Sequence, residues 1–324
     1  MKNENLNPEF ENLLLLLKSA EHYKLGLQIA VNYEKEFEAH FKCSIKEYEE
    51  LTDFLVKNDE YSCLDRKREL RLNSKGISKI PKSIFLLSNL TYLDLSYSQL
   101  TFLPKHIGKL KKLTVLGLIG NQFTSLPNSI GKLRKLLHLD LSENQLSFLP
   151  ESIGNFKNLQ KLYLKDNQLA FLPENIGQLK YLEELDLNDN QLTFLPESIT
   201  ALNYLKTLDL NDNQLAFLPE SIGELENLKY LYLSRNQLTY LPKSIEGLKN
   251  LTDLVLLNNQ LTVLPESIIE LEKMNNLYLS GNQLTSLPKE LKNFTNCQIF
   301  VGENPTKALR EYVKDWDNII FKDY

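Results

Sequence analysis

Residues 182–204 read LEELDLNDNQLTFLPESITALNY, and nearly the same 23-residue sequence recurs along most of the chain. Its first residue falls at nine points that stand 23 residues apart without an insertion: Leu90, Leu113, Leu136, Leu159, Leu182, Leu205, Leu228, Leu251 and Met274. A fixed period of about 20–29 residues, with Leu and Asn at constant offsets, is typical of a solenoid whose repeats stack on their neighbours. We number the positions of each repeat from 1, the Leu or Met given above, to 23.

Leucine alternates with polar residues in the first third of each repeat, as in Leu185, Asp186 and Leu187. Successive side chains of a strand point to opposite faces, so positions 4 and 6 are predicted to point inward and positions 3, 5 and 7 outward. Each repeat then adds one short strand to a parallel sheet on the concave side. Apolar residues at positions 1, 11, 14, 18 and 21 complete the predicted core.

The residues after the strand also have predicted roles. Asn stands at position 9 in eight consecutive repeats, from Asn121 to Asn282, and its amide can both donate and accept. It is therefore predicted to bridge neighbouring turns, while Ser98 takes its place in the first full repeat. Pro at position 15 is expected to begin a short convex turn of helix, and Ser at position 17 to cap that turn.

This LxxLxLxxNQLxxLPxSIGxLxx pattern resembles the leucine-rich repeat family, in its 23-residue form with an LPxSIG segment. The resemblance implies an α/β solenoid: a right-handed leucine-rich repeat horseshoe with a parallel concave sheet. The repeat form is similar to that of bacterial leucine-rich repeat proteins and of intracellular Ras-binding leucine-rich repeat scaffolds. That similarity implies a role in signalling or in host–microbe interaction.

The first 66 residues break the period and read as helices, because Leu and aromatic residues recur there at helical spacing. A capping box, Ser44 to Glu47, is predicted to begin the last of them. We interpret residues 1–66 as a helical N-terminal cap on the solenoid, with a separate docking domain as the alternative. The predicted helices are Pro8–Ala20, Glu21–Phe41 and Ser44–Lys57.

Residues 67–304 form the predicted solenoid, which has a degenerate first repeat and a partial last one after about ten repeats. Three residues fit the partial repeat with the register shortened by one: Ile299, Val301 and Asn304. Residues 305–324 are predicted to form a C-terminal capping helix that runs to about Trp316.

Composition restricts the partners and the compartment. A net charge of −5 without a basic stripe argues against nucleic-acid binding. The Leu13–Leu17 run is far shorter than the roughly 20 residues that span a bilayer, and acidic residues precede it, so neither a membrane segment nor a signal peptide is expected. Cys43, Cys63 and Cys297 are scattered, which favours a reducing compartment. A cytoplasmic monomer is expected, with secretion by a route that needs no signal peptide left open.

No arrangement of residues predicts catalysis. His106 and His138 fall in different columns of the repeat, and neither a phosphate-binding loop nor a nucleophile motif occurs. The segment from Asp186 to Glu197 resembles a calcium loop in spacing, but Gln191 stands where the sharp turn needs Gly. The sequence therefore predicts no enzyme, no cofactor and no metal site.

The concave positions that vary between repeats are the predicted partner-binding site. They are acidic in the middle of the sheet and aromatic or apolar in its last third: Asp140, Tyr163, Glu184, Asp186, Asp189, Asp209, Asp212, Tyr230, Tyr232, Val255 and Tyr278. Strands lie about 4.8 Å apart and like charges destabilise a sheet, so folding alone gives no reason for Asp186 beside Asp209. We therefore expect a protein or peptide partner with a basic segment.

Other interpretations of the same residues remain open. The carboxylates could be a solvated face copied by internal duplication, or they could bridge a divalent ion. The protein could be a secreted bacterial effector that acts on a host protein, or a structural, self-associating repeat protein.

Aromatic residues also recur at position 13, and they are predicted to lie along one flank of the solenoid. Either they pack between turns or they form a half-exposed second contact surface. They are Phe102, Phe148, Phe171, Phe194, Phe217 and Tyr240.

Overall fold

The computed structural model describes residues 8–19, 21–41, 44–57, 67–304 and 306–321. Within these ranges, twelve short strands follow one another in chain order and form a single parallel sheet. The strands are β1 Glu69–Arg71, β2 Tyr92–Asp94, β3 Val115–Gly117, β4 His138–Asp140, β5 Lys161–Tyr163, β6 Glu184–Asp186, β7 Thr207–Asp209, β8 Tyr230–Tyr232, β9 Asp253–Val255, β10 Asn276–Tyr278, β11 Gln298–Phe300 and β12 Ile319–Ile320.

The register of the sheet follows the sequence period. Leu185 pairs with Leu208 across β6 and β7, and equivalent positions pair along the whole sheet up to β10. The leucines at positions 4 and 6 are buried, as are the apolar residues at positions 1, 11, 14, 18 and 21. The predicted inward and outward faces are confirmed, and the architecture is the predicted α/β solenoid with a leucine core.

The segments opposite the sheet are 3₁₀ helices, each of which follows the Pro at position 15 in an extended conformation. The Ser at position 17 does not cap them, so that prediction is wrong. Its hydroxyl is buried and forms no hydrogen bond within the described residues in Ser129, Ser152, Ser198 and Ser244. The helices are Lys82–Leu86, Lys105–Lys109, Asn128–Lys132, Glu151–Asn155, Glu174–Gln178, Glu197–Ala201, Ile222–Glu224, Lys243–Gly247, Glu266–Glu270 and Lys289–Asn293.

The serine does not cap most of these helices because the extended Pro at position 15 precedes the first helical residue, which places the Ser inside the helix. Neighbouring turns also approach closely at position 19. A Cβ built on Gly177, at position 19, would lie 2.3 Å from the carbonyl oxygen of Ser198 and 2.9 Å from its Cβ. Thr200 occupies the same position one repeat later, and the 3₁₀ helix that follows it is shortened to Ile222–Glu224. Gly177 therefore allows these two repeats to approach closely, although Glu246 and Ile269 hold the same position in later repeats and are followed by helices of full length.

The Asn at position 9 bridges neighbouring turns, as predicted. Oδ1 of Asn190 accepts the N–H of Leu169 at 3.0 Å, and Nδ2 donates to the carbonyl oxygens of Leu164 at 2.9 Å and Leu187 at 3.1 Å. Asn304 repeats these bonds at the shortened register, with its Oδ1 3.0 Å from the nitrogen of Leu284. The hydroxyl of Ser98, which lies at the start of this ladder, is buried and forms no hydrogen bond within the described residues.

The N-terminal helices are α1 Pro8–Leu16, α2 Tyr23–Ala30, α3 Glu34–Phe41 and α4 Ile45–Lys57. The second predicted helix is divided into α2 and α3 by a 3₁₀ turn, Val31–Tyr33. The capping box is confirmed, since Glu47 Oε2 accepts the N–H of Ser44 at 3.0 Å. Tyr48 packs with the other helices, whereas Leu51 and Leu55 join the apolar core of the repeats, so α4 contacts the first turn of the solenoid.

The C-terminal segment contains α5, Thr306–Tyr312, and also a strand that was not predicted. The helix ends before Trp316, after which β12 pairs with β11 and Ile299 donates its N–H to the carbonyl of Asn318 at 2.9 Å. A helix and a strand together therefore cover the last repeat. Among the described helices, none has both the length and the apolar content to cross a bilayer.

We expect Asn190→Ala to destabilise the fold by about 2–4 kcal/mol, because buried backbone groups left unpaired cost roughly 1–3 kcal/mol each. The Leu169 N–H and the Leu164 carbonyl are the groups that would lose this partner. Denaturant unfolding measures the loss. The control is Gln191→Ala, since the neighbouring side chain is exposed and its removal should change stability by less than about 0.5 kcal/mol. Equal effects of the two substitutions would contradict the role of the Asn ladder.

Candidate functional site

The outward side chains of the sheet form a continuous surface, the sheet face, made of positions 3, 5, 7 and 8 of the repeats from β2 to β11. Strand register places the position 5 residues side by side. In order they are Asp140, Tyr163, Asp186, Asp209, Tyr232, Val255, Tyr278 and Phe300. One row therefore holds seven of the residues predicted to bind a partner, with the carboxylates in its first half and an aromatic and apolar stretch in its second.

The position 5 aspartates have a folding role that the sequence pattern did not reveal. Oδ1 of Asp186 accepts the N–H of Asn188 at 3.0 Å, and Asp94, Asp140 and Asp209 make the same bond two residues onward. The expectation that folding gains nothing from these residues is thus wrong. An Asp that precedes Ser or Asn by two residues was the available signal, because Asp often accepts from its own backbone two residues on.

Two of these carboxylates lie on adjacent strands, Asp186 opposite Asp209. Burial raises the pKa of Asp209 to about 6, against the lowering effect of its bond from Asn211, and the charge of Asp186 raises it further. Burial also raises the pKa of Asp186. Lys165, on the same face, favours the charged form of both carboxylates. At the centre of the row, burial and a neighbouring carboxylate therefore make the charged form of Asp209 unfavourable.

Tyr163 and Glu184 are joined in a small polar network. The Tyr163 hydroxyl donates to Glu184 Oε2 at 2.6 Å, and Lys161 Nζ lies 2.7 Å from Glu184 Oε1. Burial, then the bond to Glu184, raises the pKa of Tyr163 to about 12. Burial alone would raise the pKa of Glu184, but the hydrogen bonds from Lys161 and Tyr163 lower it overall. These two predicted residues are therefore held in place by each other and by Lys161, which was not predicted.

The second half of the row presents stacked rings. The rings of Tyr230 and Tyr232 are parallel within 4° with centroids 6.5 Å apart, and those of Tyr278 and Phe300 are parallel within 5° at 4.5 Å. Tyr230 is exposed, whereas Phe300 is buried at the end of the row. Val255 lies between the two ring pairs in the row, and Asp253 and Asn276 beside it are polar and joined by a hydrogen bond of 2.7 Å.

Position 8, which holds Asp189 and Asp212, is in the left-handed backbone region. The φ angles of Glu143, Asp166, Asp189, Asp212 and Arg235 lie between 52° and 55°. Asp, Asn and Gly tolerate this conformation best, so the backbone explains part of the acidic character of this column. Asp189 is exposed, and Asp212 forms an ion pair with Arg235 at 3.2 Å.

The position 13 aromatic residues form an exposed ridge on one flank. Between 43% and 53% of each ring-bearing residue is accessible, and no ring contact within the described residues joins two of them. The expected stacking between turns is therefore not found, and the residues are half-exposed.

For metal binding, no three His, Cys, Asp or Glu side chains are grouped as ligands in the part of the chain that the structure describes.

Comparison with known proteins points to one family. Sequence models of the leucine-rich repeat match the chain over residues 105–193, over 68–123, 180–238 and 204–261, and over 273–294. Together these matches cover most of the predicted solenoid. A comparison with curated proteins found no match.

Solved structures with leucine-rich repeats are also similar to the chain. A leucine-rich repeat protein of Leptospira interrogans is 30% identical, with 80% of this chain and 96% of that chain covered and a TM-score of 0.40. A chain in an octameric complex of latrophilin 3, Unc5D and FLRT2 is 23% identical, with 79% and 83% covered and a TM-score of 0.64. A TDR receptor is 26% identical, with 78% and 54% covered and a TM-score of 0.60.

Asp209→Asn is expected to stabilise the protein at pH 7 by about 1–3 kcal/mol, since Asn can accept the same hydrogen bond without a buried charge. The folded state binds the Asp209 proton more tightly than the unfolded state, because its pKa is raised to about 6. The protonated Asp209 side chain therefore contributes its full stabilisation of the folded state below about pH 4. This stabilisation is lost as the pH rises through about 6. Chemical unfolding at pH 4 and pH 7 measures the difference.

The matched control is Asp94→Asn, which keeps the same backbone bond but lies opposite Arg71 rather than a carboxylate. This substitution removes an attraction, so it should leave stability unchanged or lower it slightly. Stabilisation of both variants by the same amount would contradict the role of the Asp186–Asp209 pair.

Phe171→Ser combined with Phe194→Ser is expected to weaken the binding of a hydrophobic fluorescent dye to the folded protein, because both rings are about half-exposed. Dye fluorescence under native conditions is the measurement. Phe102→Ser serves as the control, since Ser125 separates this ring from the others. Absence of dye binding to the unsubstituted protein would argue that the ridge is not a contact surface.

Proposed function

Because the chain belongs to the leucine-rich repeat family, we propose that it is a non-enzymatic module that binds a protein or peptide partner on its sheet face. The position 5 row from Asp140 to Tyr278 spans six strand spacings, or about 29 Å at roughly 4.8 Å each. That length accommodates an extended segment of about nine residues at roughly 3.3 Å per residue.

The observation that best supports this proposal is the negative charge on Asp209. Its hydrogen bond from the Asn211 N–H explains why a side-chain oxygen is needed, but an uncharged Asn would also supply that oxygen and would not bury a charge. The backbone hydrogen bond therefore explains the side-chain oxygen of Asp209, whereas burial disfavours its charge. A Lys or Arg of a partner placed between Asp186 and Asp209 would stabilise both carboxylates, and this is the chemistry we assign to the central part of the site.

The apolar half of the row would anchor the partner. Tyr230 and Tyr232 present stacked rings next to Asp209, and Val255 and Tyr278 continue the surface. Rigid tyrosines beside complementary charge are the usual anchors of protein interfaces, because they bury much area with few rotatable bonds. The expected partner segment is therefore basic at one end and apolar at the other.

A similar solved structure supports a role in recognition. The similar solved structure at 26% identity and a TM-score of 0.60 is that of a TDR receptor, of which this chain covers 54%. We also propose a reducing compartment and an intracellular signalling role. Cys297 is consistent with that, since burial raises the pKa of its thiol to about 12; Cys43 and Cys63 lie outside the described residues.

The test is affinity capture from lysate with the unsubstituted protein, Asp186→Asn with Asp209→Asn, and a charge-reversed control, Glu197→Arg with Glu220→Arg. The asparagines keep the backbone hydrogen bonds and remove only the charge, so the fold is retained. We expect a discrete set of partners to be retained by the control and lost or weakened by about tenfold or more in the asparagine variant. Binding should also weaken as the pH falls through about 6, where Asp209 takes up a proton.

Capture of the same proteins at the same level by all three would overturn the sheet face as the site. Titration of each purified variant with a captured partner then gives the affinities. Binding that is unaffected on the sheet face but lost in the position 13 variants would place the contact on the flank instead.

A further inference from the structure

A different surface carries a one-sided distribution of charge. Positions 20, 22 and 23 lie where the chain returns from each 3₁₀ helix to the next strand, and we call this surface the return flank. No acidic residue occurs between Leu95 and Leu139, a stretch that contains seven lysines and arginines. Six of them lie exposed on the return flank, and none is in an ion pair within the described residues: Lys109, Lys111, Lys112, Lys132, Arg134 and Lys135.

The same positions become acidic further along the solenoid. Glu224 and Glu226 occupy positions 20 and 22 of one repeat, and Glu270 and Glu272 occupy them two repeats later. All four side chains are exposed. The return flank is thus basic in its first half, whereas its second half carries these four carboxylates together with Lys249 and Lys273.

The charges of the return flank are arranged so that one copy of the chain could pair with a second copy that is rotated by 180° about a single axis. Equivalent positions of stacked repeats lie on a common line, so position 22 can be compared along the flank. A twofold axis between the repeats that begin at Leu159 and Leu182 would place Lys111 opposite Glu272, and Lys157 opposite Glu226, of a second copy. At position 20 the same axis places Lys109 opposite Glu270. Because the operation is twofold, each of these pairs occurs twice.

The proposed axis passes through an exposed aromatic pair. Tyr181 and Tyr204 stand at position 23 of those two repeats and are 52% and 54% accessible. Their ring centroids lie 5.6 Å apart. An apolar, aromatic centre with charged residues around it is the usual anatomy of a protein interface. Neither ring contributes to the core of this chain, so folding does not account for them.

We propose that the return flank joins two copies of this chain in an antiparallel dimer, with the Tyr181 and Tyr204 rings at the twofold axis and the basic half of each copy on the acidic half of the other. The contact from Lys111 to Glu272 spans seven repeats, or about 34 Å. Two like-charged pairings remain, since Arg134 falls opposite Lys249 and Lys112 opposite Lys273. The Lys249 ammonium is already 3.4 Å from Glu270, which reduces the first of these repulsions.

The dimer goes beyond the proposed partner binding and does not depend on it. The sequence alone predicts a monomer, and the charge pattern of the flank is the reason to infer otherwise. The sheet face takes no part in the contact, so both copies would keep it open, and the assembly would present two identical binding faces. Two linked faces can raise the apparent affinity for a clustered partner without any new contact on the sheet.

The test is sedimentation equilibrium of the full chain at about 0.1 M salt, where charges interact over roughly 10 Å, and at about 1 M, where the range is about 3 Å. We expect a concentration-dependent dimer at the lower salt and dissociation at the higher. Two charge-reversed variants are then compared: Lys111→Glu with Lys157→Glu, and Glu226→Lys with Glu272→Lys. Each alone should raise the dimer Kd about tenfold or more, and an equimolar mixture should restore association as a heterodimer.

Tyr181→Ser with Tyr204→Ser should weaken the dimer in the same assay, while Asp186→Asn with Asp209→Asn should leave it unchanged. The latter separates this proposal from the sheet-face site. A monomer at every concentration in low salt would overturn the dimer. So would a mixture of the two charge-reversed variants that stays monomeric while circular dichroism shows both to be folded.

Discussion

The bond network of the Asn at position 9 is the constraint on which the rest of the fold depends. Each strand from β1 to β11 is only three residues long, and the chain then turns inward, where backbone groups have no water to bind. A single amide, as in Asn190, satisfies the Leu169 N–H and the Leu164 carbonyl of the preceding repeat together with the Leu187 carbonyl of its own. Because each link joins two turns, the spacing of one repeat fixes that of the next.

That fixed spacing determines which other residues are tolerated. Once turns approach this closely, a side chain at position 19 meets a carbonyl of the next repeat, and the backbone at position 8 adopts a positive φ. Gly177 and Asp189 therefore suit the backbone geometry at their positions, although other residues are found there in some repeats. The position 5 aspartates belong to the same set in part, because they accept a backbone N–H that the sheet leaves unpaired.

The elements that were predicted from sequence are those that repeat with the period. The inward leucines and the Asn ladder follow from local chemistry that is copied at fixed offsets in each repeat. The shortened register at Ile299 and the capping box at Ser44 follow from short local sequence patterns. The position 17 cap was wrong because the extended Pro at position 15 is the residue that precedes most of the 3₁₀ helices, so the Ser lies within them. Strand β12 was missed because a two-residue strand has no period of its own and forms only by pairing with β11. For the candidate site, the row of residues could be predicted, but the network of Lys161, Tyr163 and Glu184 could not, because it depends on side-chain positions across two strands.

In a solenoid, residues that the period does not require carry the most information about function. The Asp209 hydrogen bond favours the charged carboxylate, but burial and the charge of Asp186 outweigh it, so this charge is unfavourable for folding and is the reason for proposing a basic partner. The same reasoning applies to the return flank, where neither the core nor the Asn ladder needs Lys111 or Glu272. Internal duplication explains a feature that is the same in every repeat. It does not explain a column that is basic at one end and acidic at the other, because copying a repeat preserves its charge. A change of sign along one column is not a copy of the repeat, and it is the reason for proposing that these positions contact another molecule.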